Sequence, residues 1–166
     1  MKYSFIISTF FFAIITFSLQ AQTTTPNSSL SQVLTQYYDL KNALVSSDAG
    51  TASKKAAELL KTIDGIDASK LSAADSKAFA AVQNKLSFDT RHIAEVQNIA
   101  HQREHFSVLS QNMYTLAKGA KLSTQPVYQQ YCPMKKAYWL SSEAAVKNPY
   151  YGNQMLTCGK VTDTVQ

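Results

Sequence analysis

From Leu30 to Lys118 the chain contains no proline and only two glycines, Gly50 and Gly65. Over that stretch apolar residues recur every three or four positions, the period of a helix rather than the alternation of a strand. Leu30, Val33, Leu34, Tyr37, Leu44 and Val45 form a first stripe. Ala52, Ala56, Leu59, Leu60 and Ile63 form a second, and Phe79, Val82, Leu86, Ile93 and Val96 a third. Ile99, Phe106, Leu109, Met113 and Leu116 form a fourth. Polar punctuation separates them. Ser29-Leu30-Ser31-Gln32 fits a capping box, Ser46 to Gly50 ends the first stripe, and Asp64-Gly65 stops the second. Ser72-Ala73-Ala74-Asp75 reads as a helix start, Asn98 ends the third helix or caps the fourth, and Gly119 terminates the fourth. The expected fold is mainly α, an antiparallel bundle of about four helices with short connections. A length of 166 residues suits one such domain.

The segment before the bundle reads differently. A basic start at Met1-Lys2, an apolar run from Phe5 to Phe17 and the sequence Ser18-Leu19-Gln20-Ala21-Gln22 make a secretory signal, with cleavage expected after Ala21. Residues 22–29, polar and threonine-rich with Pro26, read as a flexible tether. The expected organisation is thus a signal peptide over 1–21, the tether, and a single helical domain over 30–166, in a periplasmic or secreted protein. The net charge of +5 falls by one with Lys2. Lys54-Lys55 and Lys135-Lys136 are isolated doublets, not the basic face that nucleic-acid binding requires. No later apolar run reaches the ~20 residues of a membrane span.

After Gly119 the composition changes. Pro126, Pro133, Pro149, Gly152 and Gly159 crowd into a segment that also holds both cysteines, the only tryptophan and five of the nine tyrosines. This turn-rich, aromatic segment is expected to pack against the bundle and to carry the function. Each cysteine has a methionine within three residues, in Cys132-Pro133-Met134 and Met155-Leu156-Thr157-Cys158. Thiolate and thioether are soft donors that select copper(I) and similar ions. An oxidising compartment equally favours a Cys132–Cys158 disulfide, which contributes ~3 kcal/mol in the chain-entropy account. Met134 and Met155 are then core filler. Buried free thiols are the third alternative. Asn148-Pro149-Tyr150-Tyr151-Gly152 reads as a turn, a corner that orients Met155 and Cys158.

His101-Gln102-Arg103-Glu104-His105 matches the string H-x-x-E-H, in which two histidines on one helix face bind zinc and the glutamate acts as base. The chain is short for such a protease, and Glu143 is the only candidate for a third ligand. Counted at 100° per residue, His92 falls on roughly the opposite face from His101. His105 and Met113 lie on one edge of the fourth stripe, where either completes a copper site. No G-x-S-x-G, phosphate loop or dinucleotide fingerprint occurs, so no enzymatic activity is expected.

Gln102-Arg103, Phe106, Leu109-Ser110, Tyr128, Cys132-Pro133-Met134, Trp139-Leu140-Ser141, Asn148 to Gly152, Met155-Leu156 and Cys158-Gly159 together resemble the domain of unknown function 3347 family. The resemblance implies a small exported domain of a kind also found at the end of periplasmic adaptor subunits of copper/silver efflux systems. It implies a metal set of Cys132, Met134, Met155 and Cys158, and more weakly His105. The cargo it implies is copper(I) or a related soft cation, buffered or delivered in the cell envelope, with envelope metal-efflux components as partners. The alternative is a disulfide-stapled interaction module that docks on an efflux system.

Overall fold

The computed structural model describes residues 26–166. The expected signal peptide and the first half of the tether, residues 22–25, lie outside them. Helix α1 (Ser28–Val45) starts where the Asn27 side chain accepts from Ser29 N at 2.9 Å. The cap is therefore Asn27 rather than Ser29, and the ordered domain begins slightly before Leu30. Helix α2 (Ala49–Asp64) is capped by Asp48, which accepts from Thr51 N at 2.9 Å. Such caps contribute ~1 kcal/mol each.

Helix α3 (Ala73–Ala80) starts at Ser72, whose hydroxyl accepts from Asp75 N at 3.1 Å and donates to the Asp75 carboxylate at 2.9 Å. It is short. The expected single helix through Phe79, Val82 and Leu86 breaks at Ala81-Val82, and helix α4 (Gln83–Glu95) begins afresh. No glycine or proline marks the break. Phe79, Val82 and Leu86 are all buried, and the turn between them lets all three enter the core. Burial of each contributes ~1.5–3 kcal/mol, more than the helical bonds lost at one turn.

Helix α5 (Ile99–Gly119) opens on Asn98, whose Oδ1 accepts from Ala100 N at 3.0 Å and His101 N at 3.1 Å. Asn98 therefore caps a new helix. The last carbonyls of α4 are taken by the buried Gln102, whose amide nitrogen donates to Val96 O at 2.7 Å and Ile93 O at 3.3 Å. It also reaches Ala49 O, at the start of α2, at 3.0 Å. With α4 and α5 joined by three residues and pairing Asp89 with His105 and His92 with His101, the two helices run antiparallel. The packing order is α1 on α2, α2 on α4 and α4 on α5. The fold is mainly helical, as expected, with five α-helices among the described residues rather than about four.

The C-terminal segment is more regular than its turn chemistry suggests. It forms an antiparallel sheet of β1 (Val127–Cys132), β2 (Ala137–Ser141) and β3 (Lys160–Val165) in the order β2-β1-β3. β1 and β2 are a hairpin closed over Pro133 to Lys136, with Cys132 paired to Ala137 and Lys136 at φ +55°. β2 packs on α5. As an edge strand it must find a partner for an outward N–H, and Leu140 N donates to the hydroxyl of Tyr37 on α1 at 3.0 Å. That fully buried hydroxyl also lies 2.7 Å from Ser110 Oγ on α5. One tyrosine thus joins two helices and the sheet.

Replacing Tyr37 by Phe strands the Leu140 donor in the core. The expected loss is ~1–3 kcal/mol of unfolding free energy in a urea titration. A loss under ~0.5 kcal/mol contradicts this account of the helix–sheet junction.

Candidate metal centre

β1 and β3 are paired as far as Tyr131 with Lys160. Beyond that pair the strands bring Cys132 beside Gly159 and Cys158. Gly159 has φ +154°, and a Cβ there would lie 2.9 Å from both Trp139 Cη2 and Tyr131 O. Only a residue without a side chain lets the strand pass this close to the indole.

The approach of Cys158 is set by the turn before it. Asn148 is fully buried and its Nδ2 donates to Cys158 O at 2.7 Å. Its Oδ1 accepts from Tyr150 N at 2.8 Å, and its own N–H donates to Leu156 O at 2.8 Å. The corner expected at Asn148 to Gly152 therefore does hold the Met155–Cys158 loop. The bundle holds the corner in turn. Arg103 on α5 donates to Pro149 O at 2.8 Å, to Leu44 O at 3.0 Å and to Ser47 Oγ at 2.9 Å. Gly152, at φ +55°, sits where a Cβ would come within 2.7 Å of Val45 O.

At the centre of this arrangement are two free thiols. Cys132 is buried, and its Sγ accepts from Lys135 N at 3.4 Å across the hairpin loop. Cys158 is half-buried, and the strand register beyond Tyr131–Lys160 carries it to the Cys132 side of the sheet, near enough for the Cys132 thiol to act on its own. Partial burial, and then the neighbouring Cys132 sulfur, push the Cys158 thiol above its usual range. The methionines are not packed as core filler. Met134, on the hairpin loop, is 61% exposed, and Met155 is 39% exposed. The structure thus brings the two thiols together and leaves the two thioethers on the surface turns that flank them. Trp139 is buried with its ring edge-on to Tyr150 at 5.9 Å, and Tyr131 and Tyr138 lie ring to ring at 4.6 Å.

His105 does not join the sulfur pair. It faces α4, where its Nδ1 lies 2.9 Å from Asp89 Oδ1. His92 stacks on it, with ring centroids 4.5 Å apart and planes within 4°. His101 stands 4.7 Å from His105. The opposite-face count for His92 fails because the chain breaks after Glu95, so His92 and His101 lie on different helices that fold back on each other. Met113 is sealed in the core. Glu143, the third ligand a zinc-hydrolase reading needs, pairs with Lys147 at 2.8 Å in the loop after β2. Asp89 escaped the sequence reading and His92 was set on the wrong face, although their i, i+3 spacing on one helix marks a shared face.

A protein-family model described as protein of unknown function (DUF3347) matches residues 33–125. The chain belongs to that family. The match runs from α1 through α5 and stops just before β1. Gln102, Arg103 and the three histidines lie inside the DUF3347 region, whereas Cys132 and Cys158 lie beyond it. No curated protein and no solved structure matches the chain. Among the described residues no helix is long and apolar enough to cross a membrane.

A thiol held above its usual range is less ionised at neutral pH, and only the thiolate is nucleophilic. The half-point of Cys158 alkylation by iodoacetamide against pH, followed on its own peptide by mass spectrometry, is expected above that of an unstructured cysteine peptide. A half-point at or below the peptide's contradicts the described environment.

Proposed function

We propose that this DUF3347 protein is an exported binder of copper(I) or a related soft cation, which it buffers or hands on in the cell envelope. The observation that carries this reading is the proximity of the Cys132 and Cys158 thiols, which start far apart in the chain and are brought together by the β1–β3 pairing. Two thiolates supply the negative charge and soft donors that copper(I) prefers. Binding releases the thiol protons, so affinity rises with pH, and the burial that holds the Cys158 proton extends that rise to higher pH. Met134 and Met155 supply neutral, weaker donors on exposed turns, where an incoming partner reaches them first. That arrangement suits transfer better than permanent storage. No turnover is required of it.

The alternative, a disulfide-stapled interaction module, uses the same proximity differently. Met134, Tyr138, Met155, Leu156 and Val161 are all exposed, and exposed apolar and aromatic side chains serve as interface anchors. In that case an envelope efflux component docks there and no metal is held.

An anaerobic copper(I) titration against a competing chelator, preceded by a thiol count, separates the two. The expected result is two titratable thiols and one copper(I) bound per chain. Cys132→Ser is expected to weaken binding at least 100-fold, and Met134→Leu with Met155→Leu at least tenfold. A disulfide that resists reduction, with no competition for copper(I), overturns the metal reading in favour of the interaction module.

A further inference from the structure

The seam between α4 and α5 carries a group of side chains that neither the core nor the sulfur pair uses. His92, His101 and His105 each offer a ring nitrogen, and these atoms all lie within 4.8 Å of one another. The core-facing residues of the same helices are others: Leu86 and Ile93 on α4, Phe106 and Leu109 on α5. All three histidines are half-buried.

We infer that His92, His101 and His105 form a binding site for a borderline divalent transition-metal ion, such as zinc(II) or copper(II), separate from the sulfur pair. Imidazole nitrogen suits these ions, and three histidines with one open position are an established way to hold zinc. His101 and His105 are four residues apart on one face of α5, and His92 completes the set from α4. Asp89 acts as the outer partner. Its side chain is 6% exposed, and its Oδ1 lies 2.9 Å from His105 Nδ1. A carboxylate there holds the proton on Nδ1 and leaves the Nε2 lone pair for the ion, the arrangement typical of metal-bound histidine. Nitrogens bound tetrahedrally at ~2.0–2.1 Å stand about 3.3 Å from one another. Closing from within 4.8 Å to that spacing takes a turn of the His92 ring out of its parallel stack on His105, so that the in-plane lone pairs of both rings converge on the ion. Gln102 and Asn98 fix the α4–α5 turn itself, so the two sides of the site are already in register. His105 also lines an open groove of about 660 Å³ with Phe88, Asp89, Glu104 and Val108, which leaves room for water at the fourth position.

The test uses protein in which Cys132 and Cys158 are both serine, so that its outcome does not depend on the copper(I) reading. Zinc(II) is titrated by calorimetry, and copper(II) binding is followed by electron paramagnetic resonance. The expected result is one zinc(II) per chain, and copper(II) spectra with nitrogen hyperfine structure. His92→Gln is expected to weaken zinc(II) binding at least tenfold. Should His92→Gln fail to fold by circular dichroism, His101→Gln, in the first turn of α5, gives the same reading. Asp89→Asn is expected to weaken binding to a smaller degree while the histidine signals still shift with zinc(II) by NMR. No zinc(II) uptake by the cysteine-free protein overturns the inference. So does an affinity that the folded histidine variants leave unchanged.

Discussion

The buried hydroxyl of Tyr37 is the point on which the two halves of the molecule meet. A sheet of three short strands is stable only with an apolar face packed against something, and its edge strand β2 must be laid where an outward N–H is satisfied. Tyr37 does this from α1 while bonding Ser110 on α5. Its ring stacks on Phe106 at 5.2 Å, so the polar tip is carried on an apolar body. From that fixed edge the rest follows by register. β2 positions β1, β1 positions β3, and β3 brings Cys158 to Cys132. Arg103 makes a second connection by tying the carbonyl ends of α1 and of the Asn148 turn to α5. Residues adjacent in the H-x-x-E-H string therefore have different tasks. Gln102 ends α4, Arg103 carries the turn, Phe106 fills the core, and His101 and His105 face α4.

Much of the helical half was legible from capping chemistry. Asp64-Gly65, Ser72, Asn98 and Gly119 stand at or next to helix ends; Ser72 and Asn98 do so because their short polar side chains satisfy terminal backbone N–H groups, and Gly119 because a Cβ there would lie 2.9 Å from Ala78. The α3–α4 break was not legible. Phe79, Val82 and Leu86 are spaced as in a continuous helix, and burial rather than a breaker residue decides the local path. The sheet was hidden for a related reason. Val127 to Cys132 alternates only loosely, with two glutamines inside the strand, and Gln130 is buried because its amide donates to the carbonyls of Glu143 at 3.0 Å and Ala144 at 3.1 Å. A glutamine whose amide nitrogen is bonded in the core looks polar in sequence. The Asn148 corner was recognisable from its Asn-Pro start, and its effect on Cys158 follows from a hydrogen bond that spacing alone does not reveal.

The two clusters sit in parts of the chain with different standing. The histidine seam belongs to the α1–α5 region that defines the DUF3347 match, while the thiol pair belongs to the sheet that follows it. Their donors differ as well, imidazole in one and sulfur in the other, and these donor types prefer ions of different softness. In an oxidising compartment the adjacent thiols also have access to a disulfide, and exchange with external thiols converts one form to the other. Under the proposed function, metal holding at the sulfur pair is tied to the redox state of its surroundings, because only the reduced thiols can bind the ion, whereas imidazole donors carry no such dependence.

Copper K-edge X-ray absorption on protein loaded with one copper(I) under reducing conditions addresses the central claim directly, since it reads the donor atoms themselves. The account predicts a first shell of sulfur alone, lost when Cys132 and Cys158 are serine. A first shell of nitrogen that persists in the cysteine-free protein contradicts it, because the ion would then reside at the histidines and the thiol proximity would be only structural.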